Sequence, residues 1–166
     1  MHQEEDYKPV FNHEHRRIFA AYINALNIAD IDYFAIGFQD TIFRKSFSLM
    51  SNLEWQKFFK AQGYAAYDPI RKAAFGCNRN FFSFDHIDYG DNLGKEIMRQ
   101  RKLHHIVKGL VMMERHLGHN YMLTLATSYS KFNAFEFYMK HCKNLLVLFH
   151  DLKKIIEPEV QHYIAV

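Results

Sequence analysis

Residues 51–70 carry the side chains whose chemistry is most informative. This stretch holds an indole N–H at Trp55 and a carboxylate at Asp68, with several aromatic side chains between them. An indole N–H only donates a hydrogen bond, and an ionised carboxylate only accepts one. Ligand pockets are mostly apolar and use a few such groups to orient the ligand. The stretch therefore has the composition of an apolar pocket with a few directional polar groups.

Both polar groups also have a purely structural interpretation. A buried tryptophan commonly packs in the core and donates its N–H to a backbone carbonyl. An aspartate in a turn, as in Asp68-Pro69, commonly accepts backbone N–H groups. An unpaired buried carboxylate would be costly, so Asp68 must have a partner in either case. The residues alone leave both interpretations open.

A short helix is expected to position these side chains. Asn52 is a suitable N-cap and Gly63 a suitable C-terminal stop, which predicts a helix over 53–62. Trp55, Phe58 and Phe59 then fall on one side of this helix, because residues three and four positions apart lie one above the other. The helix would thus turn an indole and two phenyl rings towards the same neighbour.

Periodic patterns of apolar residues predict the remaining elements. Helices are expected at 12–26, 91–105 and 133–158, the last ended by Pro158, and strands at 33–38, 41–49, 81–84, 108–114 and 121–129. Turns are expected at 39–40 and 118–120, so neighbouring strands would form hairpins. Hairpin-connected strands favour an antiparallel sheet with helices on its faces. The predicted fold class is α/β (α+β), an α-β-α sandwich around a sheet of about five strands.

Composition limits the class of protein. The 166 residues are 49% hydrophobic and 23% charged, which is typical of one globular domain, 1–166. An aromatic content of 16% fits either an aromatic core or a cavity walled by rings. The net charge of +3 is too small to indicate nucleic acid. The basic residues of the third helix are expected on a solvated face, with a partner surface as the alternative: Lys95, Arg99, Arg101 and Lys102. Two cysteines make no disulfide framework and no apolar run could span a bilayer, so a cytoplasmic protein without membrane contact is expected.

Several motifs occur in an order that resembles one protein family. They are Asn52 and Trp55 with an aromatic residue one turn later, Gly63-Tyr64, Asp68-Pro69, Phe81-Phe82-Ser83-Phe84-Asp85, Gly109, and Leu123-Thr124-Leu125. In this order they resemble the autoinducer-binding domains of LuxR-type quorum-sensing receptors, over most of the chain. The resemblance implies a five-stranded antiparallel sheet between helical layers. It also implies a sensor that binds an N-acyl homoserine lactone, or a related amphiphile, to regulate transcription.

The resemblance further implies a role for each residue of the site. The Trp55 indole would bind the carbonyl of the lactone ring, and Asp68 would accept the amide N–H of the ligand. Phe84 occupies the position of an aromatic residue, usually tryptophan, that packs on the lactone ring. Phe59 replaces a tyrosine of the family, so the hydroxyl of Thr124 is the candidate replacement for the missing donor. The acyl chain would be surrounded by Tyr64, Tyr67, Ile70, Phe43, Phe47, Met112 and Leu123.

The resemblance implies partners as well. Related sensors form homodimers, and the long last helix is the expected contact. The family continues into a helix-turn-helix domain, which this chain does not include, so DNA would be contacted only through a domain outside it. No cofactor and no metal are expected.

Two other classes of function remain open from the residues alone. The last helix could serve a ligand-independent interaction module, which would not respond to a small molecule. An acyl-processing enzyme could use Cys77 as a nucleophile or the Asp85-His86 pair, although neither pattern places a nucleophile beside a base. The 11 histidines form short-range pairs without a cysteine at a zinc spacing.

Overall fold

The computed structural model describes residues 13–41, 46–76 and 78–165. The helices are α1 (His13–Ala25), α2 (Leu53–Ala61), α3 (Pro69–Gly76), α4 (Asn92–Leu103) and α5 (Ala134–Ala165). The strands are β1 (Tyr33–Asp40), β2 (Ser46–Met50), β3 (Phe81–Ser83), β4 (Lys108–His116) and β5 (His119–Thr127). Three residues named in the sequence analysis lie outside the described ranges: Asn12 at the predicted start of the first helix, the pocket candidate Phe43 and the possible nucleophile Cys77.

The strands form one antiparallel sheet in the order β2-β1-β5-β4-β3, with helices on both faces. This confirms the predicted α-β-α sandwich with a five-stranded sheet. Ala35 of β1 lies opposite Met50 of β2 on one side and opposite Thr124 of β5 on the other. Residues directly opposite each other in a sheet point to the same face. The register therefore places these three side chains in a row across the sheet.

Two predicted turns differ from the structure. The turn predicted at 39–40 is wrong, because Gln39 and Asp40 belong to β1, which stays paired with β5 to its last residue. The β4–β5 hairpin turns through Leu117 and Gly118, whose φ angles are 48° and 83°. His119, expected in the turn, already belongs to β5. A two-residue turn with positive φ at both positions matches the twist of the flanking strands, which explains the tighter hairpin.

Each face of the sheet has its own core, because successive side chains of a strand point to opposite faces. Along β1, Phe34, Ile36 and Phe38 point towards α1 and α5, whereas Tyr33 and Ala35 point towards α2, α3 and α4. We call the second of these the α2–α4 face. The alternation along the strands thus divides the domain into two separately packed halves.

Helix α5 runs through Pro158 to Ala165, so the prediction that this proline ends the helix is wrong. Proline costs a helix one hydrogen bond, but its fixed φ is itself helical. The turn after Pro158 is anchored by Val160, which is completely buried, and by Glu159, whose carboxylate lies 3.4 Å from the His15 ring. Tertiary contacts therefore outweigh the local cost. Although α5 has 32 residues, neither it nor another helix in the described ranges is apolar enough over a sufficient length to cross a membrane.

Candidate ligand-binding site

The predicted N-cap fixes the position of Trp55. The Asn52 side chain accepts a hydrogen bond from the Trp55 backbone N–H at 3.0 Å, and its amide donates to the His104 carbonyl at 3.3 Å. Asn52 therefore ties the start of α2 to the end of α4. Gln56 ties the same helix to the edge strand β2, because its side-chain amide donates to the Ser48 carbonyl at 3.0 Å. Together these bonds hold the indole over the sheet.

The structure brings most of the predicted site residues together on the α2–α4 face. Five of them are buried members of its core: Trp55, Phe59, Tyr64, Ile70 and Phe84. Asp68 and Thr124 are also buried and line one small cavity on this face. Tyr67 is 50% exposed and is not part of this core. The site, as predicted from the sequence, is thus one contiguous region apart from Tyr67.

Asp68 is held by a partner that the sequence did not reveal. The Arg101 guanidinium donates from Nη1 to Oδ1 at 2.5 Å and from Nη2 to Oδ2 at 2.7 Å. The backbone N–H of Ile70 donates to the same Oδ1 at 3.2 Å. Both charged side chains are buried, with 1% of Asp68 and 5% of Arg101 exposed. Every oxygen of the carboxylate is therefore already bonded within the protein.

The expectation that Arg101 lies on a solvated face is wrong. The other basic residues of α4, Lys95, Arg99 and Lys102, are exposed as expected. Arg101 instead follows the buried Ile97 and Met98 at helical spacing, so it lies on the inner stripe of α4. This position in the apolar stripe is the signal that would have indicated a buried arginine.

The ionisation of the site follows from this pair. Burial alone would lower the pKa of Arg101, but the charge of Asp68 and its hydrogen bonds outweigh burial and raise the pKa, so the guanidinium stays charged. Burial also raises the pKa of the Tyr33 hydroxyl above its ordinary range, and this phenol stays neutral. At neutral pH the site therefore contains one cation, one anion and one neutral phenol.

Trp55 is completely buried, and within the described ranges its indole N–H has no hydrogen-bond partner. The N–H contacts the Tyr33 hydroxyl, and this contact lowers the pKa of that phenol against the larger effect of burial. The contact does not meet the geometry of a hydrogen bond. The Arg101 guanidinium carbon lies 5.3 Å from the centre of the indole ring and 5.7 Å from that of Phe59. A buried N–H without an acceptor is rare in folded proteins, so this donor needs an explanation.

The space beside these groups is small. A cavity of about 20 Å³ lies between the sheet and the pair, and it is lined by Tyr33, Ala35, Gly37, Ser48, Met50, Phe59, Asp68, Ile70, Arg71, Arg101, Met122 and Thr124. This volume is close to that of one water-sized sphere. A ligand larger than a water can therefore enter only if side chains move. Two flexible side chains, Met50 and Met122, line the cavity and can move in this way.

A second and larger space of about 120 Å³ lies between α1, β2 and the start of α2. It is lined by Phe19 and Ile23 of α1, by Leu53, and by Met50, which also borders the smaller cavity. Met50 is the lining residue common to both spaces, but the larger one lies on the α1 side of the sheet, beside Phe19 and Leu49 of the opposite core.

Phe84 is positioned by a residue without a side chain. A Cβ atom at Gly109 would lie 2.9 Å from the Phe84 ring and 2.4 Å from the Leu125 carbonyl oxygen. Only glycine fits at such distances, so Gly109 allows the ring to lie directly against β4. This explains physically why the two residues occur together in the motif.

Some residues expected around an acyl chain lie elsewhere. Phe47, Met112 and Leu123 belong to the core on the α1–α5 face. Their strand positions point away from Trp55, so the sheet backbone lies between them and the site. They have no access to a ligand on the α2–α4 face.

Little in the structure favours the other chemistries considered. The Asp85 carboxylate accepts a hydrogen bond from Lys108 Nζ at the surface. Among the described residues, no group of three or more His, Cys, Asp or Glu side chains is arranged to hold a metal.

Comparison with known proteins defines the family. The family model for the autoinducer binding domain matches residues 14–152. The match spans most of the chain, and the chain therefore belongs to the autoinducer-binding domain family. Domains of this family are the signal-binding parts of LuxR-type transcription regulators, so this is a sensor domain and not an enzyme. No curated protein sequence matches this chain.

Solved structures agree on the fold. The N-acylhomoserine lactone-dependent LuxR-family transcription factor CepR2 from Burkholderia cenocepacia is 17% identical, with a TM-score of 0.61 over 88% of this chain and 83% of that chain. The VqsR ligand-binding domain from Pseudomonas aeruginosa is 15% identical, with a TM-score of 0.59 over 84% of this chain and 87% of that chain. SdiA in complex with octanoyl-rac-glycerol is 11% identical, with a TM-score of 0.55 over 86% of this chain and 65% of that chain. At these identities the likeness is one of fold alone.

Proposed function

We propose that this domain binds an N-acyl homoserine lactone or a related neutral amphiphile on its α2–α4 face. The observation that carries the proposal is the buried N–H of Trp55, which has no hydrogen-bond partner of good geometry among the described residues and lies beside a cavity with polar groups. Leaving a buried donor unsatisfied costs about 1–3 kcal/mol. A ligand carbonyl at this N–H would remove that cost, and a single water would do so only while the site is empty.

The apolar part of the ligand accounts for most of the affinity. Each buried CH₂ group contributes about 0.8 kcal/mol, so a chain of moderate length provides several kcal/mol. The SdiA structure with octanoyl-rac-glycerol supports a ligand class that includes acylglycerols as well as lactones.

Binding is coupled to opening of the site, because the existing cavity holds little more than a water. Part of the binding energy is spent on moving side chains, and this lowers the affinity relative to a preformed pocket.

Thermal unfolding with increasing ligand tests the proposal. With N-octanoyl homoserine lactone or octanoylglycerol, the melting temperature should rise with the logarithm of ligand concentration. Trp55→Phe removes the N–H but keeps an aromatic ring, and its dissociation constant should rise about twofold to tenfold.

Leu123→Val is the matched control, because it removes one methylene from the opposite face of the sheet. It should lower the melting temperature but leave the dissociation constant unchanged. If neither compound shifts the melting temperature of the native protein at any soluble concentration, the proposal is wrong.

We also propose that α5 forms a homodimer contact. Phe135, Met139 and Leu146 are 62%, 62% and 59% exposed and recur along one side of the helix. An exposed apolar stripe of this kind suits a second copy of the same helix. Sedimentation should show a dimer for the native protein and a monomer for Met139→Glu. A native protein that is monomeric at all concentrations, with and without ligand, would exclude this contact.

A further inference from the structure

The larger of the two cavities lies outside the candidate site. Its volume is about 120 Å³, and we call it the α1 cavity, because it lies between α1, the end of β2 and Leu53. Its floor is formed by Phe19 and Leu49, which belong to the core on the α1–α5 face. Trp55 belongs to the core on the opposite face of the sheet. A ligand in the α1 cavity would therefore not occupy the site described above.

Helix α1 lines this cavity with two neighbouring rows of side chains. Arg16, Ala20 and Asn24 lie four positions apart and form the outer row, and Phe19 and Ile23 form the inner row. Ala20 and Asn24 are exposed, whereas Phe19 is buried. The outer row extends for about 12 Å along the helix axis. The cavity therefore has an apolar floor and opens to solvent along one side of α1.

The volume and the lining fit an apolar group of about the size of a benzene ring. An apolar cavity of about 150 Å³ in another protein stays dry and binds benzene. Leu53, on the wall opposite α1, is 54% exposed. A ring placed against Leu53 would remove apolar surface from water, which favours binding.

A half-buried cation lies at one end of the cavity. The Arg16 guanidinium donates from Nη1 to Gln56 Oε1 at 3.0 Å, and the same oxygen accepts the Met50 backbone N–H at 3.1 Å. The bond holds the guanidinium beside the end of β2, where Met50 and Ser51 line the cavity. Gln56 is a neutral acceptor, and a guanidinium has five N–H donors. The Arg16 side chain therefore has donors available for a second, charged acceptor.

Arg16 differs in this respect from several other cations of the domain. Arg101, Lys108 and Lys153 each lie beside a carboxylate. No ion pair joins Arg16 to an acid in the described parts of the chain. A carboxylate matches the planar fork of a guanidinium and can bind it through two parallel hydrogen bonds. The charge and the geometry at this end of the cavity therefore suit a ligand carboxylate.

We propose that the α1 cavity is a second binding site, for a small carboxylate with an apolar or aromatic body. The Arg16 guanidinium binds the carboxylate, and the apolar body lies against Phe19, Ile23 and Leu53. This site is separate from the one on the α2–α4 face and does not depend on the function proposed for that face.

Two probes that differ in charge test the proposal. Sodium 3-phenylpropionate and 3-phenylpropionamide share the ring and the chain, but only the first carries a carboxylate. In heteronuclear NMR titrations of the native protein, the carboxylate should shift the amide signals of Ile23 and Ser51. It should also bind about fivefold or more tightly than the amide. Unchanged signals at α1 and β2, or equal affinities for the two probes, would overturn the proposal.

Arg16→Gln tests the role of the guanidinium. The variant should bind the carboxylate about fivefold or more weakly and the amide as tightly as the native protein does. Arg17→Gln is the matched control, because Arg17 is the next residue, is exposed and does not line the cavity. It should bind both probes as the native protein does. Equal carboxylate affinity of the two variants would overturn the role assigned to Arg16.

Ala20→Leu tests the cavity itself. The larger side chain would fill the space beside Ile23, and the variant should lose binding of both probes. Ala21→Leu is the control, because Ala21 is exposed on the same helix but does not line the cavity. Alanine and leucine are both good helix formers, so both variants should stay folded. Native affinity in Ala20→Leu would show that the probes bind elsewhere.

A competition experiment separates this proposal from the function proposed above. With the protein saturated by N-octanoyl homoserine lactone, the dissociation constant of 3-phenylpropionate should stay within about threefold of its value without the lactone. Displacement of the carboxylate by the lactone would overturn the separate site. Failure of the lactone to bind overturns only the proposed function, and failure of the carboxylate to bind overturns only the second site.

Discussion

Arg101 lies between Trp55 and Asp68, with its guanidinium carbon 5.3 Å from the centre of the indole and its terminal nitrogens on the carboxylate. One buried cation thus links α2, α4 and the segment that precedes α3. The shape of the candidate site therefore depends on this ion pair. Removing either partner would leave the other charge buried and unpaired, which is unfavourable.

Removal of the arginine should destabilise the domain strongly. Arg101→Met leaves the Asp68 carboxylate buried without its charged partner, and the free energy of unfolding should fall by about 3–5 kcal/mol. The double variant Asp68→Asn/Arg101→Met removes both charges and should recover most of this loss. Urea unfolding of the three proteins measures the effect. Equal stability of the native protein and the single variant would show that the pair is not buried in solution.

A methyl group at Gly109 should disturb the Phe84 side of the site. In Gly109→Ala the new Cβ would lie 2.4 Å from the Leu125 carbonyl oxygen and 2.9 Å from the Phe84 ring. Overpacking of this kind costs about 1–3 kcal/mol. At Gly76 a Cβ would meet no atom within 4 Å, so Gly76→Ala is the matched control and should not lose stability. A thermal melt of both variants compares them, and equal melting temperatures would contradict the close approach.

The contact between α1 and α5 should respond to alkaline pH. The Tyr22 hydroxyl donates to Asp151 Oδ2 at 2.6 Å, and burial, followed by this bond and the charge of Asp151, raises the pKa of Tyr22 to about 12. The native state therefore favours the protonated phenol over the unfolded chain, whose tyrosine pKa is about 10. The resulting stability is fully present below pH 10 and is lost as the pH rises through 12.

Tyr22→Phe should consequently be less stable than the native protein below this range, with a difference that shrinks as the pH approaches 12. Urea unfolding at several alkaline pH values measures it. Tyr129→Phe, at a half-exposed tyrosine, serves as the control and should follow the native curve. A constant difference between Tyr22→Phe and the native protein at every pH would argue against the bond to Asp151.

Replacing the proline inside α5 should stabilise the domain. Pro158→Ala supplies the missing N–H in a helix that already continues past this position, and the gain is at most about 3 kcal/mol. Lys154→Ala, one turn earlier and also exposed, exchanges two good helix formers and should change little. Chemical denaturation gives both values. A loss of stability in Pro158→Ala would mean that the helix does not continue through the proline.

Signals within a few residues of each other predicted much of the fold. Asn52 was predicted as an N-cap, and two other helices were predicted to begin at Asp91 and Asn133. Each of these three side chains accepts a backbone N–H from the first turn of its helix. Alternating strands and hairpins likewise predicted the antiparallel sheet. N-caps and hairpin turns can be predicted because their hydrogen bonds join residues that are only a few positions apart.

The parts that could not be predicted depend on contacts between distant residues. Asp68 and Arg101 are 33 positions apart, and the polarity of an arginine alone favours the solvent. Pro158 on its own predicts a helix end, but the burial of Val160 stabilises the helical turn that follows it. The small volume of the cavity is also a property of packing between distant residues, which no local signal in the sequence indicates.

The sheet separates the candidate site from the outer helix. On β5 the side chain of Thr124 lines the cavity, while its neighbour Leu125 packs in the core beneath α5. One peptide unit joins these two surfaces, and β5 is hydrogen-bonded to strands on both sides. A ligand that shifts the backbone at Thr124 would therefore also shift Leu125, and through this side chain the change would reach α5.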